Sequence, residues 1–380
     1  MGPLEGVKII EIAGIGPGPF AAMLLADMGA DVIRIDRPKK DGPGVAFPDR
    51  VNVLNRGRRS VAVNLKTPGG AEVVRKLADK ADAFLEGFRP GVAERLGIGP
   101  DECMTRNPRL VYGRMTGWGQ DGPMAMVAGH DIDYIALSGV LHAIGPKGGK
   151  PTPPLNLVGD FGGGGMFLAF GLVCGILEAQ SSGKGQVVDA AMTEGSALLA
   201  NMFFSFRATQ SWIEERGANI LDGGADFYDT YETKDGKHMA VGAIEPQFYA
   251  RLLELTGSDP ALAKDQLDRT NWSERKDDLA AIFKTKNRDE WTSLMEREEA
   301  CTVPVLTLSE SMEHPHIKAR GVFTNHEGVD QVAPTPRFSR TSPSLRLPPP
   351  APGEHTEQVL AEWGFDDGEI SLLRENGDVV

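Results

Sequence analysis

Two short stretches carry side chains that could move a proton. In Gly129-His130-Asp131-Ile132-Asp133-Tyr134 an imidazole stands among carboxylates, and histidine is the side chain whose ordinary pKa lets it give and take a proton near neutrality. In Gly159-Asp160-Phe161 a carboxylate precedes four glycines, Gly162 to Gly165. An aspartate at the head of a helix caps it, because its oxygens accept the unpaired N–H groups of the first turn. Four consecutive glycines cost helix stability, and bare backbone at the positive end of a helix gives a ligand close access to N–H donors, an arrangement suited to an enolate oxygen. Cap and proton-transfer group both stand open for Asp160, as do packing residue and base for His130.

Other candidates fall away on their spacing. Gly14-Ile15-Gly16-Pro17-Gly18-Pro19, with Asp36 further on, has the outline of a dinucleotide fingerprint, but Pro19 stands where the third glycine belongs and Pro17 removes an N–H donor. The expected structure there is a tight strand-to-helix turn with proline at the first helical position. His314 and His316 lack a third ligand at usable spacing, so no metal site is expected. Met23, Met28, Met192 and Met202 could line an apolar acyl site or simply fill the core.

The elements that must position these residues follow one repeated phrase, a Val/Ile-rich run, a Gly, Pro or basic residue, then a helix-compatible stretch. Residues 7–14, 31–38, 60–70, 82–91 and 109–117 read as parallel strands, with helices such as Pro19 to Met28 and Gly70 to Lys80 between them. The fold class is therefore α/β, a Rossmann-like doubly wound sheet. Ligands gather beyond the carboxyl ends of such strands. Arg37 follows the second strand, Lys66 the third and Arg89 the fourth, with Arg95 six residues later. A strongly apolar helix over 160–180 leads into a strand, Val187 to Met192. From about 225 the pattern changes to a hairpin turning on Lys234-Asp235-Gly236, then helical pieces to about 320, which predicts a second, smaller α+β domain. Residues 201–224 read as a linker and 321–330 as a return linker.

The chain of 380 residues, 41% hydrophobic and 24% charged, has a globular composition, with one large domain and a smaller one. A net charge of −13 argues against nucleic acid as a partner, yet residues 1 to 100 hold 15 Lys and Arg against 12 Asp and Glu while the other 280 hold 25 against 41. Positive charge thus gathers where a phosphorylated ligand would bind. Three dispersed cysteines, no basic-then-apolar leader and an apolar run of only about a dozen residues, Met166 to Leu177, predict a reduced, cytoplasmic setting with no membrane span.

Taken together these strings resemble the class III CoA-transferases, and within them the α-methylacyl-CoA racemases, from LEGVKIIEIAGIGPGPF through EGFRPGVAERLGIGP, MTGWGQDGP, AGHDIDYIALSG, LVGDFGGGGM and SSGKGQVVDAAM to DGKHMAVGAIEPQFY and GEHTEQVLAEWG. AGHDIDY carries the likeness to the racemases. The resemblance implies a large domain over 1–200 completed by 331–380, a small domain over 225–320, and an interlocked homodimer whose active sites lie between domains of different subunits. It implies a 2-methylacyl-CoA substrate with no separate cofactor, coenzyme A arriving as part of that substrate. The coenzyme contacts it implies are Arg37, Val63, Asn64, Leu65, Lys66, Gly87, Phe88, Arg89, Arg95, Gly129, Asp131, Ile132, Asp133 and Tyr134, with Arg58 and Arg59 toward the adenine.

The same resemblance makes His130 and Asp160 the catalytic pair. Inverting a carbon through a planar intermediate needs an acid and a base on opposite faces, since one group alone returns the proton to the side it left. His130 would take the α-proton of the 2S thioester while Asp160 protonates the other face, and N–H groups at the Asp160 helix start would hold the enolate oxygen. Glu245, from the small domain of the partner chain, is the implied orienting carboxylate for His130, with Asp131 as the alternative. The rival chemistry is CoA transfer between acids, with Asp160 as nucleophile.

Overall fold

The Val/Ile-rich runs become strands because β-branched side chains pack well on a sheet buried on both faces. In the computed structural model, which describes residues 2–38 and 48–380, they are β1 (Lys8–Ile12), β2 (Asp31–Asp36), β3 (Arg58–Ala62), β4 (Ala83–Glu86), β5 (Val111–Thr116) and β6 (Val187–Ala191). All six pair in parallel in the order β3-β2-β1-β4-β5-β6, so the direction of strand addition reverses between β1 and β4. Between the strands run α1 (Pro17–Asp27), α2 (Pro68–Ala78), α3 (Val92–Arg95), α4 (Pro100–Arg106), α5 (Asp131–Leu137), α6 (Val140–Ala143) and α7 (Met166–Ser182), and α8 (Met192–Leu199) follows β6.

Alternation along the strands divides the core in two. Ile10, Ile12, Ile33, Ile35 and Val61 face a layer that includes Val74 and Leu77 of α2 together with Val359, Leu360, Trp363 and Val379 from the end of the chain. Ile9, Val32, Leu85 and Val111 face Ala22 and Leu25 of α1 and Leu168, Leu172 and Ile176 of α7. The carboxyl-terminal segment thus closes one face of the sheet. Leu157–Ser182 forms 26 continuous helical residues, long and apolar enough to cross a membrane and longer than the sequence pattern indicates, and Leu168, Leu172 and Ile176 on one side of it are buried on the sheet.

Two units emerge, one of Met1–Ser138, Leu155–Leu199 and Arg320–Val380, the other of Gly139–Pro154 and Ala200–Ala319. The second contains α9 (Asn201–Ala208), a sheet of β7 (Tyr228–Glu232), β8 (His238–Gly242) and β9 (Thr302–Pro304), and the helices α10 (Pro246–Thr256), α11 (Arg269–Phe283), α12 (Arg288–Met295), α13 (Leu308–Glu313) and α14 (Pro315–Arg320). Its core gathers Phe227, Tyr231, Tyr249, Trp272, Phe283 and Trp291. The expected hairpin is β7–β8, turning on Gly236 at φ +74.

Three boundaries differ from those read in the sequence. Residues 139–154 group with the smaller unit, because Arg216 donates to His142 O and Gly149 O at 2.6 Å each. Residues 201–224 are more than a linker: they hold α9 and a loop in which Asn219 and Asp222 bond to the backbone of Ile213 and Gly217. Residues 321–330 open a hairpin of β10 (Phe323–His326) and β11 (Val329–Val332), tied to the first unit by Arg56, which donates to Gln331 Oε1 and Val332 O. The chain then ends in α15 (Thr356–Glu362) and α16 (Asp367–Glu375).

Candidate active site

Asp160 is not a helix cap. Leu157–Gly165 winds as a wide π-helical turn running straight into α7, with Met166 N–H reaching back five residues to Phe161 O, and Asp160 lies within that turn. Three of the four glycines, Gly163 to Gly165, do not open the backbone to a ligand either. A Cβ on Gly163 would meet Ser196 N at 2.5 Å, one on Gly164 would meet Met192 Cγ at 2.8 Å, and one on Gly165 would meet Phe20 Cδ1 at 2.7 Å. On the opposing helix, a Cβ on Gly195 would fall 1.8 Å from Gly163 O. Gly163 to Gly165 exist so that the turn can lie directly against α8 and α1, which fixes Asp160 in space.

The strand-to-helix turn with the outline of a nucleotide loop serves the same end. Gly16, at φ +67, has the left-handed backbone glycine favours, and a Cβ there would stand 3.2 Å from Asp160 Oδ2. Pro17 and Pro19 withhold two N–H donors at the start of α1. Asp160 therefore sits beside a helix start without taking its hydrogen bonds. Burial raises its pKa above the ordinary carboxylate value, Asn156 opposes this by donating to Oδ2 at 3.0 Å, the Asp131 charge adds to the rise and His130 lowers it.

His130 immediately precedes α5, exposed, with its backbone N–H held by Asp133 Oδ2 at 2.9 Å. The next residue makes the connection to Asp160. Asp131 is 7% exposed, its Oδ1 accepts the Asp160 N–H at 2.7 Å, and its Oδ2 is buried with no hydrogen-bond partner. Asp131 is thus a backbone anchor joining the two candidate groups. The Asp160 amide, expected among the donors for an enolate oxygen, is committed to it. Tyr134 donates to Gly129 O, packs edge-on against Trp118 at 4.8 Å, and has its hydroxyl pushed up to about 12 by burial and by the Asp160 charge.

A model of CoA-transferase family III matches residues 4–356. The chain belongs to that family. It is 45% identical over 376 residues to α-methylacyl-CoA racemase of Mus musculus, covering 98% of this chain and 96% of the other, and 44% identical to that of Homo sapiens over the same shares. The crystal structure of a CaiB/BaiF family protein from Brucella suis superposes with a TM-score of 0.81 at 26% identity, covering 95% of this chain and 99% of that one.

In this family III chain the remaining site residues sort by burial. Arg37, Lys66, Gly87, Arg89 and Arg95 are exposed beyond the carboxyl ends of β2, β3 and β4, as are Ile132 and Asp133 at the start of α5. Asn64, Leu65, Phe88 and Gly129 are half-buried, and Val63 is core. The Val63–Lys66 loop is pinned by the end of the chain: Asn64 N–H donates to Asp378 O at 2.8 Å, Val63 bridges Val379, and a Cβ on Gly69 would strike the Asp378 carboxylate. Lys39 and Lys40, between Arg37 and β3 in the sequence, lie outside the described residues.

Of the two arginines implied toward the adenine, Arg58 lies inside the fold. Arg58 is fully buried, pairing with Glu11 at 3.0 Å and donating to Pro19 O, and Arg59 pairs with Asp31 and Glu362. Asp36 accepts from Arg34 and from Ser60 Oγ. Met23 and Met192 belong to the core, while Met202 is exposed. His314 pairs with Glu296.

Glu245 lies in the smaller unit, exposed, just ahead of α10. Its peptide is set by Gln266, whose buried carboxamide donates to Ala243 O at 2.8 Å and Ile244 O at 2.9 Å. Nothing in the sequence points to Gln266, since an isolated glutamine marks nothing until its backbone partners are known.

Proposed function

We propose that this chain interconverts (2R)- and (2S)-2-methylacyl-CoA thioesters by removing and returning the α-proton. The observation carrying this is that Asp131, the residue after His130, grips the backbone of Asp160, so that two proton-active groups share one anchored corner of the large unit. The identity to racemases of mouse and human supports it.

Neutral His130 takes the proton from one face of the α-carbon as the thioester becomes an enolate, and protonated Asp160 delivers to the other face, the roles exchanging for the opposite enantiomer. The raised pKa of Asp160 suits it to hold a proton. Arg37, Lys66, Arg89 and Arg95 would meet the phosphates of coenzyme A, which enters with the substrate, so the reaction calls for no resident cofactor. An interlocked homodimer, in which Glu245 of a second copy orients His130, completes the proposal. Met166, Phe170, Val173 and Leu177 line up exposed on α7 at helical spacing, an apolar face that a second copy would cover.

The test is to incubate an enantiopure 2-methylacyl-CoA in deuterated water without an acceptor acid. Deuterium at the α-position with loss of optical purity is expected, and neither would be seen if the chain only transfers CoA. His130→Ala separates the chemistries further. It should abolish racemisation, whereas a transferase acting through Asp160 would keep its activity.

A further inference from the structure

Beyond the end of β4 the chain runs through Glu86-Gly87-Phe88-Arg89 into α3, and a guanidinium from the neighbouring strand holds both ends of this segment. Glu86 is fully buried. One of its oxygens accepts Phe88 N–H at 2.6 Å and the other accepts Nε of Arg114, on β5, at 3.0 Å. The two terminal nitrogens of Arg114 donate to the two oxygens of Glu94 at 2.8 and 3.3 Å. Val92 N–H closes on Arg89 O at 3.1 Å. The segment between Glu86 and Glu94 is therefore fastened at each end to one side chain, and Arg89 and Arg95, both exposed, stand within or beside it.

Stability alone is a weak reason for this arrangement. Burying a carboxylate is costly even with a partner, and here burial pushes Glu86 up to about 7 against the pull of Phe88 N–H and Arg114. Sharing one guanidinium between two carboxylates also divides its charge. What the arrangement does achieve is order: long arginine side chains gain affinity for an anion when the backbone carrying them is already fixed.

We infer that Arg114, clamped between Glu86 and Glu94, is a positioning residue that presets Arg89 and Arg95 for the phosphates of a coenzyme A thioester. This rests on the proposed function, and it assigns a role to three residues that touch no substrate.

The test compares two substrates, the 2-methylacyl thioester of coenzyme A and that of pantetheine, which lacks the phosphates. Glu94→Gln is the principal variant, because Glu94 is partly exposed and the buried Glu86–Arg114 pair survives; Arg114→Lys is the second, with melting temperature recorded for each. For Glu94→Gln, KM for the coenzyme A thioester should rise about 3- to 10-fold with kcat within about twofold, while the pantetheine thioester reacts as with wild type. Unchanged KM for both variants, or an equal loss on both substrates, would overturn the proposal, the second outcome marking Arg114 as merely structural. If wild type itself fails to prefer the coenzyme A thioester over the pantetheine thioester, the phosphate contacts fall and this inference falls with them.

Discussion

The amide of Asp160 donates to Oδ1 of Asp131 at 2.7 Å, and Asp131 is the residue that follows His130. One hydrogen bond thus joins the head of α5 to the turn that precedes α7. In the proposed reaction the two groups address opposite faces of one carbon and need a fixed separation, which a short side chain bridging their backbones would supply.

Asp131→Asn keeps an acceptor oxygen for the Asp160 amide, whereas Asp131→Ala removes it. The alanine variant should lose on the order of 10²-fold in kcat, the scale of a misplacement of about 1 Å, with the asparagine variant retaining most of the rate. Steady-state kinetics of both variants on one enantiomer decide this. Equal losses would mean that the charge of Asp131, not its grip on the backbone, matters.

The acid limb of the pH profile should belong to Asp160. In the proposed mechanism proton transfer in either direction needs one proton on the His130–Asp160 pair, so activity should fall on the acid side when the pair takes up a second proton. Burial holds Asp160 above the ordinary carboxylate value, so this limb should lie above the usual aspartate range. Asp131 raises the pKa through its charge and Asn156 lowers it through a hydrogen bond. Asp131→Asn should therefore move the acid limb of kcat/KM to lower pH and Asn156→Val should move it higher. Shifts in the same direction would assign the limb elsewhere.

The parallel sheet was legible because every strand carries its own Val/Ile run and its own turn residues, signals that need no distant partner. The strand-end basic residues were legible for the same reason. What sequence could not separate was function from packing at a glycine: Gly162 to Gly165 read as room for a ligand, and that Gly163 is instead room for a helix depends on Gly195 and Ser196, some thirty residues on. Arg58 is a similar case. A basic residue near a strand looks like a ligand contact until Glu11 proves to be buried beside it. Residues 139–154 were misplaced because the bonds that draw them to the smaller unit come from Arg216, far along the chain.

Gly195→Ala tests the packing role of the glycines. Its methyl would fall 1.8 Å from Gly163 O, a backbone atom that cannot swing aside. The helices would have to part, at a cost of about 1–3 kcal/mol or somewhat more, as overpacking usually exacts. Gly183→Ala is a control for left-handed backbone, since Gly183 ends α7 at φ +76 with open space around it. Thermal unfolding should show the larger loss for Gly195→Ala, together with reduced activity, because the same displacement moves Asp160. A variant that unfolds like wild type would show that α8 yields freely.

The pair of Arg56 and Asp27 should be worth more intact than either residue suggests alone. Both are almost fully buried, joined at 2.6 Å, and Arg56 also donates to Gln331 Oε1 at 2.9 Å and Val332 O at 2.8 Å, which fastens the β10–β11 hairpin. Removing Asp27 as Asp27→Ala strands a buried guanidinium and should cost about 3–5 kcal/mol. Arg56→Leu leaves Asp27 without its partner and frees the hairpin at once, so it should both lower the melting temperature and expose residues 323–332 to protease. In the double variant Asp27→Ala with Arg56→Leu no buried charge is left unpaired, and the combined loss should fall well short of the sum of the single losses. Denaturant unfolding of the four proteins measures the coupling, and strictly additive losses would show that the two charges do not depend on each other.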